Sequence, residues 1–75
     1  MNATRKKELE LVLNGIAEQR DKLEDIKSEE EEYRDNMSEN LQGSDKYERA
    51  ETAISSMEEA ISNLEDAMSS LEDIE

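Results

Sequence analysis

Apolar residues recur along this chain in alternating steps of three and four, in two long stretches separated by a polar break. In the first stretch the positions are Leu9, Val12, Ile16, Leu23, Ile26, Tyr33 and Met37. Taking Leu9 as heptad position a gives a = Leu9, Ile16, Leu23, Glu30, Met37 and d = Val12, Gln19, Ile26, Tyr33. In the second stretch a = Tyr47, Ile54, Ile61, Met68 and d = Ala50, Met57, Leu64, Leu71, an unbroken run that is a coiled-coil signature. Between them lies "NMSENLQGSDK", in which Asn36, Asn40 and Gly43 stop a helix and Ser44 starts one, with Asp45 in its first turn. Asn2 and Thr4 are the candidate caps of the first helix.

The spacing predicts helices over about 4–37 and about 45–74, joined by a turn at about 38–44, with 1–75 forming a single domain. Each helix would be about 45–50 Å long at about 1.5 Å per residue. Near-equal helices on a short turn make an antiparallel hairpin. One register pairs Tyr33 with Tyr47, Ile26 with Ile54, Leu23 with Met57, Ile16 with Leu64, Val12 with Met68 and Leu9 with Leu71. Two layers are flawed in it, because Glu30 meets Ala50 and Gln19 meets Ile61. Tyr33 and Tyr47 would stack beside the turn, and Leu41 either caps the core or forms a contact loop. Gly15 is either a close-approach point opposite Ala67 or a weak spot in the first helix.

The apolar stripe of the second helix is wider than a two-helix contact needs. Ala53, Ala60, Ala67 and Ile74 extend it into position g, and Leu13 widens the first. The fold class expected is therefore all-α, a two-helix hairpin of coiled-coil type that dimerises into a four-helix bundle through that seam.

Composition narrows what such a rod does. The chain has no Cys, His, Trp, Phe or Pro. That leaves no thiol or imidazole nucleophile, no soft metal ligand, and no Glu-x-x-His for a di-iron carboxylate site. No phosphate-cradling glycine loop or calcium loop is present either. No cofactor, metal or catalytic residue is expected, and a thin bundle offers no concave pocket for carboxylate catalysis. The charged residues that break the apolar runs exclude a membrane span, and the lack of cysteine suits a cytoplasmic protein.

Acids outnumber bases 22 to 9, for a net charge of −13. Residues 1–37 hold 7 bases and 11 acids, whereas residues 38–75 hold 2 and 11, so the imbalance is concentrated in the second helix. Glu58 and Glu59, Glu65 and Asp66, and Glu72 and Asp73 recur every seven residues, about 10 Å apart along the axis. With Glu29, Glu30, Glu31 and Glu32 they make a negative stripe. Arg5, Lys6 and Lys7 are placed to match the acidic terminus at Glu72, Asp73 and Glu75. A rigid row of carboxylates fits the basic groove of a protein that binds nucleic acid, and the alternative is a face that only keeps the chain soluble.

The segment Asn36–Ala67, "NMSENLQGSDKYERAETAISSMEEAISNLEDA", resembles short acidic helical proteins encoded by phages and prophages of Gram-positive bacteria. These carry a "NMPENLQGS-x-RYE-x-AE" type segment before Ala-, Leu- and Glu-rich heptads. Here Ser38 stands in place of Pro and Lys46 in place of Arg, substitutions that leave the turn intact. The resemblance implies a phage accessory protein working inside the bacterial cell, and small acidic phage proteins often block host nucleases, including restriction and CRISPR systems. The function expected is a non-catalytic protein that binds a partner with a basic surface, with no direct nucleic-acid or membrane contact. The alternative is a structural or assembly module acting through the apolar seam, and a third possibility is a regulator that binds a transcription factor.

Overall fold

The computed structural model describes residues 1–38, 40 and 43–74. Two helices, α1 (Ala3–Asp35) and α2 (Asp45–Glu72), pack along their length as a hairpin, and no strand occurs among the described residues. The rod measures 60 × 15 × 12 Å between Cα extremes, one helix layer thick.

Both helix starts are set by side chains. Asn2 Oδ1 accepts the Arg5 backbone N–H at 2.8 Å, and Ser44 Oγ accepts that of Tyr47 at 3.4 Å. Each cap satisfies one of the four free amides of a first turn. Both helices end in a tightened turn, through Met37 N–H to Arg34 O and Ile74 N–H to Leu71 O, each at 3.2 Å. The α-helical hydrogen bonding therefore stops about two residues earlier than the heptads suggest, at Asp35 and Glu72. Leu41 and Glu75 lie outside the described residues, so the two readings of Leu41 and the charge match at Glu75 have no structural counterpart here.

The core is thin. Among the described residues Ala50, Ile54 and Ile61 are the buried ones, none more than 6% exposed, and all three belong to α2. The second helix uses the a and d positions as expected, with Tyr47, Met57, Leu64, Met68 and Leu71 half-buried beside them. The first helix does not. Its half-buried residues are Leu9, Ile16, Leu23 and Glu30, with Leu13, Arg20, Lys27 and Arg34 and, at their edges, Gly15, Ala17 and Glu31; Met37, just past its end, is half-buried too. The expected d row of α1 is turned outward: Val12, Ile26 and Tyr33 are 52%, 53% and 49% exposed, and Gln19 is exposed too. Four expected layers are thus corrected, those of Val12, Gln19, Ile26 and Tyr33. The tyrosine stack beside the turn is not formed as drawn, since Tyr33 lies half outside.

Basic side chains occupy the seam positions that the outward-turned residues leave. Basic side chains in the seam lay their carbon stems along apolar surface and carry the charged heads to its edge. The Arg20, Lys27 and Arg34 side chains are 27%, 25% and 24% exposed. The Arg20 guanidinium reaches Met68 Sδ at 3.9 Å on α2. Hydrophobic matching alone would select Val12 and Ile26 for these places. Bases take them, and their ion pairs, with Asp21, Glu31 and Asp35, are formed within α1.

Gly15 is not a close-approach point within the hairpin. A Cβ placed there meets no atom within 4 Å, its φ is not positive, and Ala67 opposite is exposed. Gly15→Ala should therefore stabilise the fold by about 1 kcal/mol through helix propensity alone. Denaturant unfolding followed by circular dichroism checks this; an unchanged or lower midpoint contradicts an open site.

Candidate functional site: an acidic side of the hairpin

Two antiparallel helices are related by an approximate two-fold axis perpendicular to the plane of the hairpin. Corresponding rows that flank the seam therefore lie on the same side. The residues that follow the seam on one side are Glu10, Ala17, Glu24 and Glu31 in α1, and Glu51, Glu58, Glu65 and Glu72 in α2. Their adjacency is visible near the termini, where Glu10 and Ala17 line one shallow groove with Met68 and Glu72. Glu59, Asp66 and Asp73 point about 100° away from Glu58, Glu65 and Glu72, toward the back of α2 away from the seam, and all six residues of these three acid pairs are exposed.

The helix geometry sorts the four-glutamate run of α1. Consecutive helical residues point about 100° apart, so four in a row cannot face one way. Glu31 belongs to the acidic side and pairs with Lys27 at 4.0 Å. Glu30 is half-buried in the seam, while Glu29 and Glu32 are exposed on other faces of α1. Of the acids in the stripe drawn from the sequence, Glu58, Glu65, Glu72 and Glu31 flank the seam on this side, and the others point elsewhere. The other α1 members of this side, Glu10 and Glu24, become recognisable only once the seam of α1 is known.

Basic residues of the seam border this side. The ion pairs Arg20–Asp21, at 3.2 Å, and Arg34–Asp35, at 3.0 Å, both lie within α1. The hydrogen bond to Asp35 raises the Arg34 pKa, and Glu51 of α2 adds to this from across the seam. At the other end Lys6 lies in a groove with Leu71 and Glu72, the one member of the Arg5–Lys7 cluster that meets the acidic terminus there. Tyr47 sits between Arg34 and Glu51. Burial pushes its phenol pKa up, and a hydrogen bond to the Glu51 carboxylate pushes it further, with Arg34 opposing in part.

Ala53 and Ala60 are half-buried, and Ala67 and Ile74 are exposed; these residues flank the seam on the opposite side. No group of three or more acids among the described residues is arranged to hold a metal ion. No helix among the described residues is long and apolar enough to cross a membrane.

The class that fold and site define is an all-helical hairpin with one acidic side. Comparison of the chain with protein-family models, with curated proteins and with solved structures finds no match.

The Tyr47 environment gives a direct test of the seam. In a Tyr33→Phe variant, absorbance titration should place phenolate formation above the ordinary value of 10.0. A pKa raised on folding favours the neutral form, so its contribution is complete below pH 10 and is lost as pH rises through and beyond that value. Replacing Glu51 with Gln should lower the midpoint; no change would remove Glu51 from the contact.

Proposed function

We propose that the chain is a non-catalytic interaction protein that presents its acidic side to a basic surface of a protein partner. The observation that carries this reading is the gathering of acids from both helices on one side, with the α2 pairs all exposed. Duplex DNA displays a charge about every 3.4 Å along each strand, and a groove built for it also accepts a rigid row of carboxylates. The helix holds these acids in place before binding, so little ordering entropy opposes the contact. A host nuclease or other nucleic-acid-binding defence protein is the most concrete partner. The likeness of Asn36–Ala67 to phage accessory proteins supports action in the bacterial cytoplasm as a DNA mimic. Phosphates repel such a surface, so the reading includes no direct contact with nucleic acid or lipid. The working form is a homodimer of hairpins joined through a seam that includes Ala53, Ala60, Ala67 and Ile74.

A scaffold or chaperone-like assembly module acting through the apolar seam is the second reading, favoured by the half-exposed Val12, Ile26 and Tyr33. The two readings separate by mutation. Neutralising Glu58, Glu59, Glu65, Asp66, Glu72 and Asp73 to their amides should weaken competition with duplex DNA for purified host nucleases at least about tenfold, or on the order of 1.4 kcal/mol. Helicity should persist, and wild-type binding should weaken as salt rises. Salt-independent binding that survives the neutralisation would eliminate mimicry, and loss on Ala67→Glu with the oligomeric state unchanged would favour the assembly module.

A further inference from the structure

Peroxides oxidise the sulfur of cysteine and methionine, and this chain has four methionines and no cysteine. Met1 is exposed, while Met37, Met57 and Met68 are half-buried. Among the described residues Met68 is the one whose sulfur receives a hydrogen bond, from Arg20 Nη1 across the seam at 3.9 Å. We propose that Met68 is an oxidation site, and that Arg20 holds the oxygen of its sulfoxide so that the modified hairpin stays closed.

The donor is in place before the oxygen arrives. Arg20 Nε and Nη2 both donate to Asp21 Oδ1 at 3.2 Å, which leaves Nη1 as the nitrogen that crosses to α2. A guanidinium is planar and always charged, so anchoring two of its nitrogens fixes the direction of the third. A thioether is a weak acceptor, and the contact with unmodified Met68 is correspondingly slight. Oxidation makes the same side chain polar. Charged N–H donors sit about 2.7–2.9 Å from an oxygen, so the longer separation of Nη1 from Sδ leaves room for one oxygen between them.

The sulfur is also within reach of the oxidant. Met68 lines the shallow groove of about 250 Å³ beside Glu10, Ala17 and Glu72, and a water fills only about 30 Å³ of liquid. Hydrogen peroxide is uncharged, so the two glutamates do not repel it. It passes one oxygen to a sulfur lone pair: the O–O bond breaks, an S–O bond forms, and the remaining oxygen leaves as water with both hydrogens. Sulfur loses the two electrons that the peroxide gains.

The register shows what is particular about position 68. Seven-residue steps from Met68 lead to Ile61 and Ile54, and the same steps from Arg20 lead to Lys27 and Arg34. In an antiparallel pair these steps keep one register, so a base of α1 lies opposite each of the three. Of those three α2 residues, Met68 alone has an atom that oxidation turns into a partner for the base. Met57, between Ile54 and Ile61, has no hydrogen bond to its sulfur among the described residues, and an oxygen there is left unpaired in the core.

The test starts from Met37→Leu/Met57→Leu, a volume-conserving pair of changes that leaves Met68 as the one methionine of the seam. Hydrogen peroxide is the probe. Peptide mapping by mass spectrometry locates the added oxygen, and denaturant unfolding followed by circular dichroism compares each protein before and after treatment. Met68 should take up one oxygen while the hairpin is folded. With Arg20 present, oxidation should change the unfolding equilibrium constant by less than about threefold. With Arg20→Leu added, it should favour unfolding by at least about tenfold, because a half-buried acceptor is then unpaired. Each comparison is made within one protein, so any change that Arg20→Leu makes to the starting stability drops out. Adding Met68→Leu instead should leave unfolding indifferent to peroxide. A Met68 that stays unmodified after Met1 is fully oxidised overturns the proposal. Equal losses of stability with Arg20 and in the Arg20→Leu background overturn it, and so does a peroxide response that persists after Met68→Leu.

Discussion

The rest of the structure depends on a row of basic side chains, Arg20, Lys27 and Arg34, lying in the seam beside an acidic second helix. After Arg49, α2 has no base, and its glutamates at 51, 58, 65 and 72 flank the seam along its length. In an antiparallel pair the corresponding α1 row lies beside them, and that row holds Glu10, Glu24 and Glu31. Like charges side by side are unfavourable in proportion to their closeness and burial. Three cations at the edge of the seam offset this, and their stems still cover the apolar face of α2. An α1 packed by its most apolar residues would leave the acids of both helices facing each other uncompensated.

The same electrostatics accounts for helix ends that run against their own dipoles. The first helix opens with Arg5, Lys6 and Lys7 where anions are favoured, and the second closes with Glu72 and Asp73 where cations are. In the hairpin these two ends lie together, and Lys6 and Glu72 line one groove. Each end is unfavourable alone and complementary in the pair. At the turn the helices follow the ordinary rule, with Arg34 in the last turn of α1 and Asp45 and Glu48 in the first turn of α2.

The hairpin was legible in the sequence because α2 has an uninterrupted heptad and because Ser44 is a strong cap for it; Asn2 and Thr4 competed for the first helix, and the structure uses Asn2. The seam of α1 was not. Counting apolar residues gives Val12, Ile26 and Tyr33 precedence over Arg20, Lys27 and Arg34, since a hydropathy count treats a base as wholly polar. Arginine and lysine are polar only at their tips, and here the tips have acids to meet. The flawed layers at Gln19 and Glu30 were the available warning, and the structure moves Gln19 out while leaving Glu30 half-buried. The acidic side followed the same limit, with Glu10 and Glu24 hidden until the rotation of α1 was known. Gly15 offered no signal to separate its two readings, because propensity is blind to what surrounds a residue.

The acidic side is not uniform along the rod, and the spacing of the basic row decides where its field is strongest. Arg34, Lys27 and Arg20 recur at seven-residue steps, and the next member of that row is Leu13 rather than a base, with Lys6 a further step away. Between Arg20 and Lys6 the seam therefore contributes no cation over about 20 Å of rod by the helical rise. Leu13, Ala17 and Glu10 line the groove there with Met68 and Glu72. Glu65 and Asp66 stand one turn before Met68 on the same helix. Toward the turn, by contrast, Asp35 and, less strongly, Glu51 raise the Arg34 pKa, and Lys27 holds Glu31. The surface is partly neutralised near the turn and again beside Lys6, and the stretch between Arg20 and Lys6 carries the least compensated carboxylates.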